Sequence, residues 1–373
     1  MQSKIQTSFF YFAFKIWKYA ATLFVICFFA GAHAQNNWPN KTIKLVIPFP
    51  AGGATDIIGR TLAQKLSIAL SQPVVVENKP GAGGTIGADS VAKATPDGYT
   101  ILMATSSTHS IAPAINPRIP YDAVKDFAPI AYFASAPSVM IVGSTFPAKT
   151  VQEAIGVLKA APGKYNFGSS GIGTYPHLVA ELFKWRAGGL FVVHIPYRGT
   201  GLVITDLAAG QIGFLMDSIV SAQPYIKDGR VRALAVSGAK RSASLPNVPT
   251  FTEANIPGME ISNWFGVFAP AGTPNEIIMR LNKEINLVAK IPEVLERLDR
   301  AGAESVGAAA VGVATVGVAT VGVATVGVAT VGAGTVSGAA ASDGKTPAQF
   351  AKIISDEFEA WKAVIKRANI KLE

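Results

Sequence analysis

Short apolar runs typical of β-strands alternate with helical patterns along most of this chain, and that alternation indicates the α/β class. From Thr42 the run TIKLVIPF is followed by DIIGRTLAQKLSIAL, which places Ile58, Leu62 and Leu66 on one helical stripe. Two further strand-like runs, PVVVENK and YTILMAT, flank the helical segment GADSVAKA. This pattern predicts a parallel sheet with helices on both faces.

A second series of the same kind starts near Ser138. There the strand-like runs VMIVG, YNFGSS, FVVHIPY and IGFLMDS alternate with the helical segments TVQEAIGVLKA, PHLVAELFKW and GLVITDLAAG. We therefore expect two doubly wound α/β domains, one built from 38–137 and 240–373 and the other from 138–239. Two segments that cross between the domains would leave a cleft, which is where ligands of such folds bind.

One segment does not fit this pattern. Between 311 and 330 the pentad VGVAT occurs four times in tandem, and degenerate copies extend the insertion to about 307–344. Each pentad contains a glycine, two valines and a threonine, which disfavour a helix, and its odd length swaps valines between the faces of a strand. We expect an elastin-like disordered loop, with a small β-rich element or aggregation-prone stacking as alternatives. The helix after it should be capped by Thr346, with Pro347 in its first turn.

The first 34 residues are typical of a signal peptide for export. They carry three lysines and no acid, then an apolar run, then Ala-His-Ala ending at Ala34. We expect cleavage after Ala34 and a periplasmic protein, with an uncleaved anchor as the alternative because the upstream segment FFYFAFKIW is apolar too. Cleavage would remove Cys27, the single cysteine, and with it any disulfide, thiolate chemistry or cysteine–zinc site.

The net charge is +9, and the basic residues that produce it are spread out, since the chain contains no run of lysine or arginine. A solvated basic surface explains it, and nucleic acid is not an expected partner.

Two glycine-rich stretches have the same layout, one in each α/β series. PFPAGGATD and FGSSGIGTYPH each follow a strand-like run and lead into a helix. If they face each other, two helix N-termini and their backbone N–H groups converge on the cleft and suit an anion. The spacing in PGAGGTIGADS fails the dinucleotide fingerprint, so a nucleotide is not expected and a carboxylate is.

Evidence for an enzyme is weak. Ile172 stands where a nucleophile elbow needs glycine, and no histidine and acid can be assigned to Ser169 or Ser170. His177 and Glu181 have a spacing that could hold a metal, but no third ligand can be named, so a capping, core or ligand role is preferred. We expect no catalytic residue, no cofactor and no metal.

Several long motifs resemble those of a known family. WPNKTIKLVIPFPAGGATD, VVVENKPGAGGTIGADSVAKATPDGYT, HIPYRGTG, RALAVSGAKRSASLPNVPTFTEA and WFGVFAPAGTP strongly resemble the extracytoplasmic solute receptors of tripartite tricarboxylate transporters, the Bug-type family. The resemblance implies a type II periplasmic-binding-protein fold that closes by a hinge on a small organic acid. It also implies delivery to the membrane components of the transporter, by a protein that acts as a monomer. A ligand-sensing subunit of a signalling system and an exported carboxylate-processing enzyme are the alternatives.

The resemblance also implies which residues bind the ligand. The two glycine loops, 51–56 and 169–174, would hold one carboxylate through backbone amides, and a more variable side would set specificity. Arg198 would favour a diacid, whereas Asp217, in the cleft or as a helix cap, would favour an amine such as that of an acidic amino acid. The predicted ligand-binding set is Phe49, Ala51, Gly52, Gly53, Ala54, Thr55, Asp56, Thr105, Ser106, Ser107, His109, Ser169, Ser170, Gly171, Gly173, Thr174, His177, Tyr197, Arg198 and Asp217.

Two departures from the family pattern stand out. The insertion at about 307–344 raises the question of how the last helix docks. Pro50 replaces a small residue of the family and removes one backbone N–H from the first loop.

Overall fold

A computed structural model of the chain describes residues 38–306 and 345–371. The predictions about the signal peptide and the VGVAT repeats concern 1–34 and 307–344 and lie outside the described residues. No helix within the described residues is long and apolar enough to cross a membrane.

Strands and helices alternate as the sequence predicts. The strands are β1 Ile43–Ile47, β2 Val74–Asn78, β3 Thr100–Thr105, β4 Phe127–Gly143, β5 Asn166–Ser169, β6 Val193–Pro196, β7 Phe214–Ser218, β8 Val231–Val236, β9 Ser262–Pro270 and β10 Glu304–Ser305. The helices are α1 Ala54–Leu70, α2 Thr85–Ala92, α3 Ala112–Ile115, α4 Val151–Ala160, α5 Tyr175–Arg186, α6 Thr200–Ala208, α7 Ile219–Lys227, α8 Asn275–Val288, α9 Pro292–Ala301 and α10 Pro347–Arg367. A short 3-10 turn, Ala82–Gly84, precedes α2, and a π-helical turn, Ser107–Ile111, precedes α3.

The sheet as a whole is mixed, although the strands of the first series, β1 to β3, are parallel to one another as predicted. Its strand order is β2-β1-β3-β9-β4-β7-β5-β6, with β8 and β10 also paired to β4. The pairs β1–β2, β1–β3, β5–β6 and β5–β7 are parallel. Every antiparallel pair involves β4 or β9, the two strands that run through the middle of the order.

Strand β4 is the longest strand and changes partners along its length. Up to Pro137 it pairs with β9, and from Ser138 it pairs with β7 and β8. Its register against β9 shifts near Pro129, as expected for a residue that cannot donate to the ladder. The prolines explain why the sequence indicates a strand only from Ser138 onward.

The last helix docks against the main body of the chain despite the insertion before it. Thr346 and Gln349 form the predicted cap as a reciprocal capping box. Phe350 packs with Trp264 and Phe268 in one apolar cluster, whereas Trp361 packs with Tyr175 in another. Helix α10 therefore contributes to two separate parts of the core.

Candidate functional site

A pocket opens at the carboxyl ends of β1, β3, β5, β6 and β7, where the loops after these strands meet. It encloses about 500 Å³, part of it open to solvent. The predicted residues that line it are Phe49, Ala51, Gly53, Ala54, Thr55, Thr105, Ser107, Ser170 and Asp217. Lining residues that the sequence analysis missed are Pro50, Pro176, Gly199, Thr200, Gly201, Ser218 and Asn263.

The first glycine loop joins β1 to α1 and is braced from behind by Asp56. One oxygen of this carboxylate accepts a hydrogen bond from the Gly52 backbone N–H at 3.0 Å, and the other accepts one from Asn78 Nδ2 at 2.9 Å. The Arg60 guanidinium donates to both oxygens at 3.0 Å. Burial opposes ionisation, but these bonds outweigh it and hold the pKa of Asp56 below its ordinary value. Asp56 and Gly52 therefore shape the loop and do not line the pocket.

Three helices present their N-terminal ends to the pocket. Gly53, Ala54 and Thr55 belong to the start of α1, Pro176 to the first turn of α5, and 199–201 to the start of α6. The first N–H groups of a helix have no partner within it and carry a partial positive charge. Three helix N-termini thus face the pocket, where the sequence predicts two. Helices α1 and α6 offer N–H donors to an anion, whereas α5 contributes mainly its dipole, because Pro176 has no N–H and the Tyr175 N–H is bonded to Ser107 Oγ.

The second glycine loop follows β5 and is held by its own side chains. Ser169 Oγ lies 2.7 Å from His194 Nε2, and Thr174 Oγ1 donates to the Gly171 carbonyl oxygen at 2.7 Å. The Gly173 N–H donates to His177 Nδ1 at 3.1 Å. These six residues support the loop, and the pocket itself is lined by their neighbour Ser170.

His194 is a partner of Ser169 that the sequence did not reveal. Its ring stacks on His177 with centroids 3.9 Å apart, and on Phe167 at 4.8 Å. Burial and the Lys184 ammonium together lower the pKa of His177 to about 3 and that of His194 to about 4, and the neighbouring His194 ring adds to the effect on His177. A general base of a serine nucleophile is normally oriented by an acid, whereas here the charged group acting on both rings is a cation. We therefore assign His177 and His194 a structural role, in which they support the second glycine loop.

The segment after β3 lines the pocket only through part of its length. Thr105 and Ser107 face the pocket, and Ser107 Oγ accepts a hydrogen bond from the Tyr175 N–H at 2.9 Å. Ser106 instead donates from Oγ to Glu357 on α10 at 2.9 Å. The prediction that both Ser106 and Ser107 face the ligand therefore holds for the position of Ser107 in the pocket wall and not for Ser106.

His109 does not line the pocket, contrary to expectation. Its ring is 1 % exposed and lies among Phe127 and Phe268, with centroids 4.6 and 4.2 Å away. Its Nδ1 lies 3.0 Å from Thr108 Oγ1. Burial lowers the pKa of His109 to about 3, so the imidazole is neutral at physiological pH.

The buried position of His109 predicts a pH-dependent stability. Between about pH 6.5 and pH 3 the unfolded chain binds a proton at this residue and the folded chain does not, so the free energy of unfolding falls as pH falls. Replacing His109 by Phe should reduce this slope by about 1.4 kcal/mol per pH unit. Urea unfolding of both proteins between pH 6 and pH 4.5 measures the difference. Equal slopes would show that His109 does not resist protonation in the fold.

Tyr197 and Arg198 do not line the pocket either. The Tyr197 hydroxyl donates to Asp206 Oδ2 at 2.7 Å on α6. The residues that follow Arg198, 199–201, line the pocket instead. The sequence did contain a signal for them, because HIPYRGTG is a third strand–glycine–helix layout.

Asp217 is the residue before the last one of β7 and lies in the pocket wall. The residue is 4 % exposed, and its Oδ1 accepts a hydrogen bond from the Ser218 N–H at 2.7 Å. Its Oδ2 is buried without a hydrogen-bond partner among the described residues. Burial raises the pKa of Asp217 to about 6, although the Thr200 and Ser221 hydroxyls and the Ser218 N–H oppose this.

The loops approach each other closely at two points, and the residues of the first, Gly199 and Pro50, line the pocket. A Cβ on Gly199 would lie 2.6 Å from Pro50 Cγ, and one on Gly83 would lie 2.9 Å from the Ile172 carbonyl oxygen. Both glycines have positive φ, 115° and 66°. Glycine is thus required at Gly199 for conformation and for space alike. Within residues 38–306 and 345–371, no three metal-ligating side chains come together.

Comparison with known proteins agrees with this geometry. The sequence model described as "Tripartite tricarboxylate transporter family receptor" matches residues 58–316. Protein BugT of Bordetella pertussis is 32% identical over 92% of this chain and 94% of its own.

Solved structures show the same fold. An R. palustris protein solved with adipate is 30% identical, with a TM-score of 0.77 over 90% of this chain and 99% of its own. MatC of Rhodopseudomonas palustris, solved with bound malate, is 28% identical, with a TM-score of 0.76 over 88% of this chain and 100% of its own. These matches confirm the predicted type II periplasmic-binding fold. The chain belongs to the receptor family of the tripartite tricarboxylate transporters.

Proposed function

We propose that this receptor captures a small organic carboxylate in the pocket, closes around it by a hinge, and delivers it to the membrane components of a tripartite transporter. One observation carries the proposal: three helix N-termini converge on a pocket whose described lining contains no lysine, arginine or histidine. Backbone dipoles are then the main source of attraction for an anion. The bound adipate and malate of two relatives support a carboxylate as that anion.

The closing motion would follow the predicted division into 38–137 with 240–373, and 138–239. Strand β4 crosses this division at 137/138, and the chain crosses back at 239/240, after β8. On one side of the division β4 pairs with β9, and on the other it pairs with β7 and β8. The Tyr175 N–H to Ser107 Oγ bond joins residues on opposite sides of that division. It is one of the contacts that the closed form would gain.

A ligand screen tests the carboxylate assignment. Mono-, di- and tricarboxylates, aromatic acids and acidic amino acids are added to the exported protein, and the melting temperature is measured. A ligand at a hundred times its Kd stabilises the fold by about 2.7 kcal/mol, which such an assay detects. Dimethyl succinate is the matched control for succinate, because it keeps the shape and removes the charge. If no free acid raised the melting temperature above its ester, the proposed function would fail.

Two measurements distinguish the proposed receptor from the alternatives, an enzyme and a sensing subunit. A receptor returns the ligand unchanged, whereas an enzyme converts it, and NMR of the recovered ligand distinguishes them. Loss of ligand uptake on deletion of the gene would support delivery to a transporter. Unchanged uptake with loss of a transcriptional response would support the sensing role instead.

The contact between Gly199 and Pro50 provides a further prediction. Replacing Gly199 by Ala should push apart the loops after β1 and β6 and weaken carboxylate binding by about tenfold or more, because the new Cβ meets Pro50. Gly189→Ala is the matched control, since Gly189 also has positive φ, 81°, but a Cβ there has no atom within 4 Å. Calorimetric titration measures both affinities. Equal Kd values in the two variants would refute a binding role for this contact.

A further inference from the structure

We propose that the ligand carries a protonated amine that pairs with Asp217 while its carboxylate lies at the helix N-termini. The inference rests on the proposed function and narrows its substrate class from carboxylates to amino carboxylates. It chooses between two specificity residues, Arg198 and Asp217, that the sequence left equally open.

The first support is the unpaired oxygen of Asp217. A buried carboxylate oxygen without a donor is costly, because it has lost its hydration and gained nothing in exchange. Asp217 Oδ1 accepts a hydrogen bond from the Ser218 N–H, whereas Oδ2 forms no hydrogen bond of good geometry among the described residues. The Thr200 and Ser221 hydroxyls lie close enough to favour its charge, but Ser221 Oγ donates to the Ser218 carbonyl oxygen instead. Since Asp217 lies in the pocket wall, a ligand that enters can supply the missing donor.

The second support is the distribution of charge around the pocket. Asp217 is the one acidic side chain among the described lining residues, and it has no basic counterpart in that lining. The helix N-termini of α1, α5 and α6 carry partial positive charge. A ligand with one anionic and one cationic group complements both features, whereas a second carboxylate beside an ionised Asp217 would be repelled.

The third support is the arrangement around Arg198. A cation in the wall would favour a diacid, and Arg198 was the candidate for it. The wall at this point is formed by 199–201 instead. Hydroxyls and an amide complete the lining near Asp217, from Thr200, Ser218 and Asn263, and none of them carries positive charge.

Matched ligand pairs test the inference without any substitution. Succinate is compared with aspartate, and glutarate with glutamate, by calorimetric titration of the wild-type protein. The members of each pair differ only by the amino group. We expect the amino acid of at least one pair to bind about tenfold or more tightly than its partner. Equal affinities, or preference for the plain diacid in both pairs, would overturn the inference and leave the proposed function intact.

Asp217→Asn then assigns the preference to this residue. The variant should lose the tenfold preference for the amino acid and bind the plain diacid as well as, or better than, the wild type. If instead Asp217 is protonated and donates to a second ligand carboxylate, the asparagine NH₂ replaces that donor, and the amino acid gains no advantage in either protein. That result would overturn the proposed pairing.

Asp206→Asn is the control variant. Asp206 lies on α6 near the pocket, pairs with the Tyr197 hydroxyl and does not line the pocket. It should keep the wild-type preference. Loss of the preference in this variant as well would show that Asp217 does not act through direct contact. If no ligand of either pair bound to the wild type, the inference would fail, and the wider screen of free acids would still decide the proposed function.

Discussion

A Gly53→Val variant should fold normally and lose carboxylate binding by about a hundredfold or more. Gly53 lies at the N-cap of α1 with φ −80° and ψ 170°, an extended conformation that valine adopts without strain. A Cβ there would meet only the Pro50 carbonyl oxygen, at 3.7 Å. The valine methyl groups would instead project into the pocket and keep an anion away from the first N–H groups of α1. Loss of two charge-assisted hydrogen bonds, each about 1.5–3 kcal/mol, accounts for the expected change.

Two controls separate steric blocking from general damage. Gly53→Ala adds only the tolerated Cβ and should weaken binding much less. Gly156→Val, on the exposed face of α4, adds the same bulk with no atom within 4 Å of its Cβ and should bind as the wild type does. Calorimetric titration with the best ligand of the screen measures all three. Retained affinity in Gly53→Val would refute the carboxylate position at α1.

A Glu357→Gln variant should lower the free energy of unfolding by about 2–3 kcal/mol. Ser106 Oγ donates to Glu357 Oε1 at 2.9 Å and Ser110 Oγ to Oε2 at 2.6 Å. The Trp361 indole N–H donates to Oε1, and the Trp264 indole N–H donates to Oε2. Glutamine has one acceptor oxygen where glutamate has two. One indole N–H would then face an NH₂ group, and unlike a serine hydroxyl it cannot turn round to accept.

The matched control is Glu359, two residues further along the same helix. Glu359 is exposed and makes only a 3.8 Å ion pair with Lys362, so Glu359→Gln should change stability little. Urea unfolding at neutral pH compares the two variants. Similar stability losses would show that the Glu357 network contributes no more than a surface charge does. Since Ser106 and Ser110 flank Ser107 of the pocket, a modest loss of ligand affinity should accompany the destabilisation of Glu357→Gln.

The elements with clear periodicity were predictable from the sequence. Helix α1 is one example, since Ile58, Leu62 and Leu66 are all buried as the stripe requires. Two elements with proline in their interior were not, because an internal proline is read as a break in a strand or helix. The first half of β4, with Pro129 and Pro137, and helix α7, with Pro224 inside it, were both missed.

The site was predictable where the backbone itself supplies the chemistry. The loop around Gly53 and the loop around Ser170 were identified from glycine spacing, because a strand–glycine–helix layout fixes where N–H groups point. Side-chain direction was not predictable. His109 and Tyr197 are polar residues beside strand ends, yet one turns into an aromatic cluster and the other towards α6. Only tertiary packing decides such a choice.

The two ends of the VGVAT insertion are held beside the same stretch of β4. The Val306 N–H donates to the Phe133 carbonyl oxygen at 3.2 Å. At the other end, Asn282 Nδ2 donates both to the Lys345 carbonyl oxygen and to that of Ile130. These contacts of Val306 and Lys345 therefore do not depend on how many residues lie between them. Copies of the pentad can be gained or lost without changing the contacts at either end of the insertion.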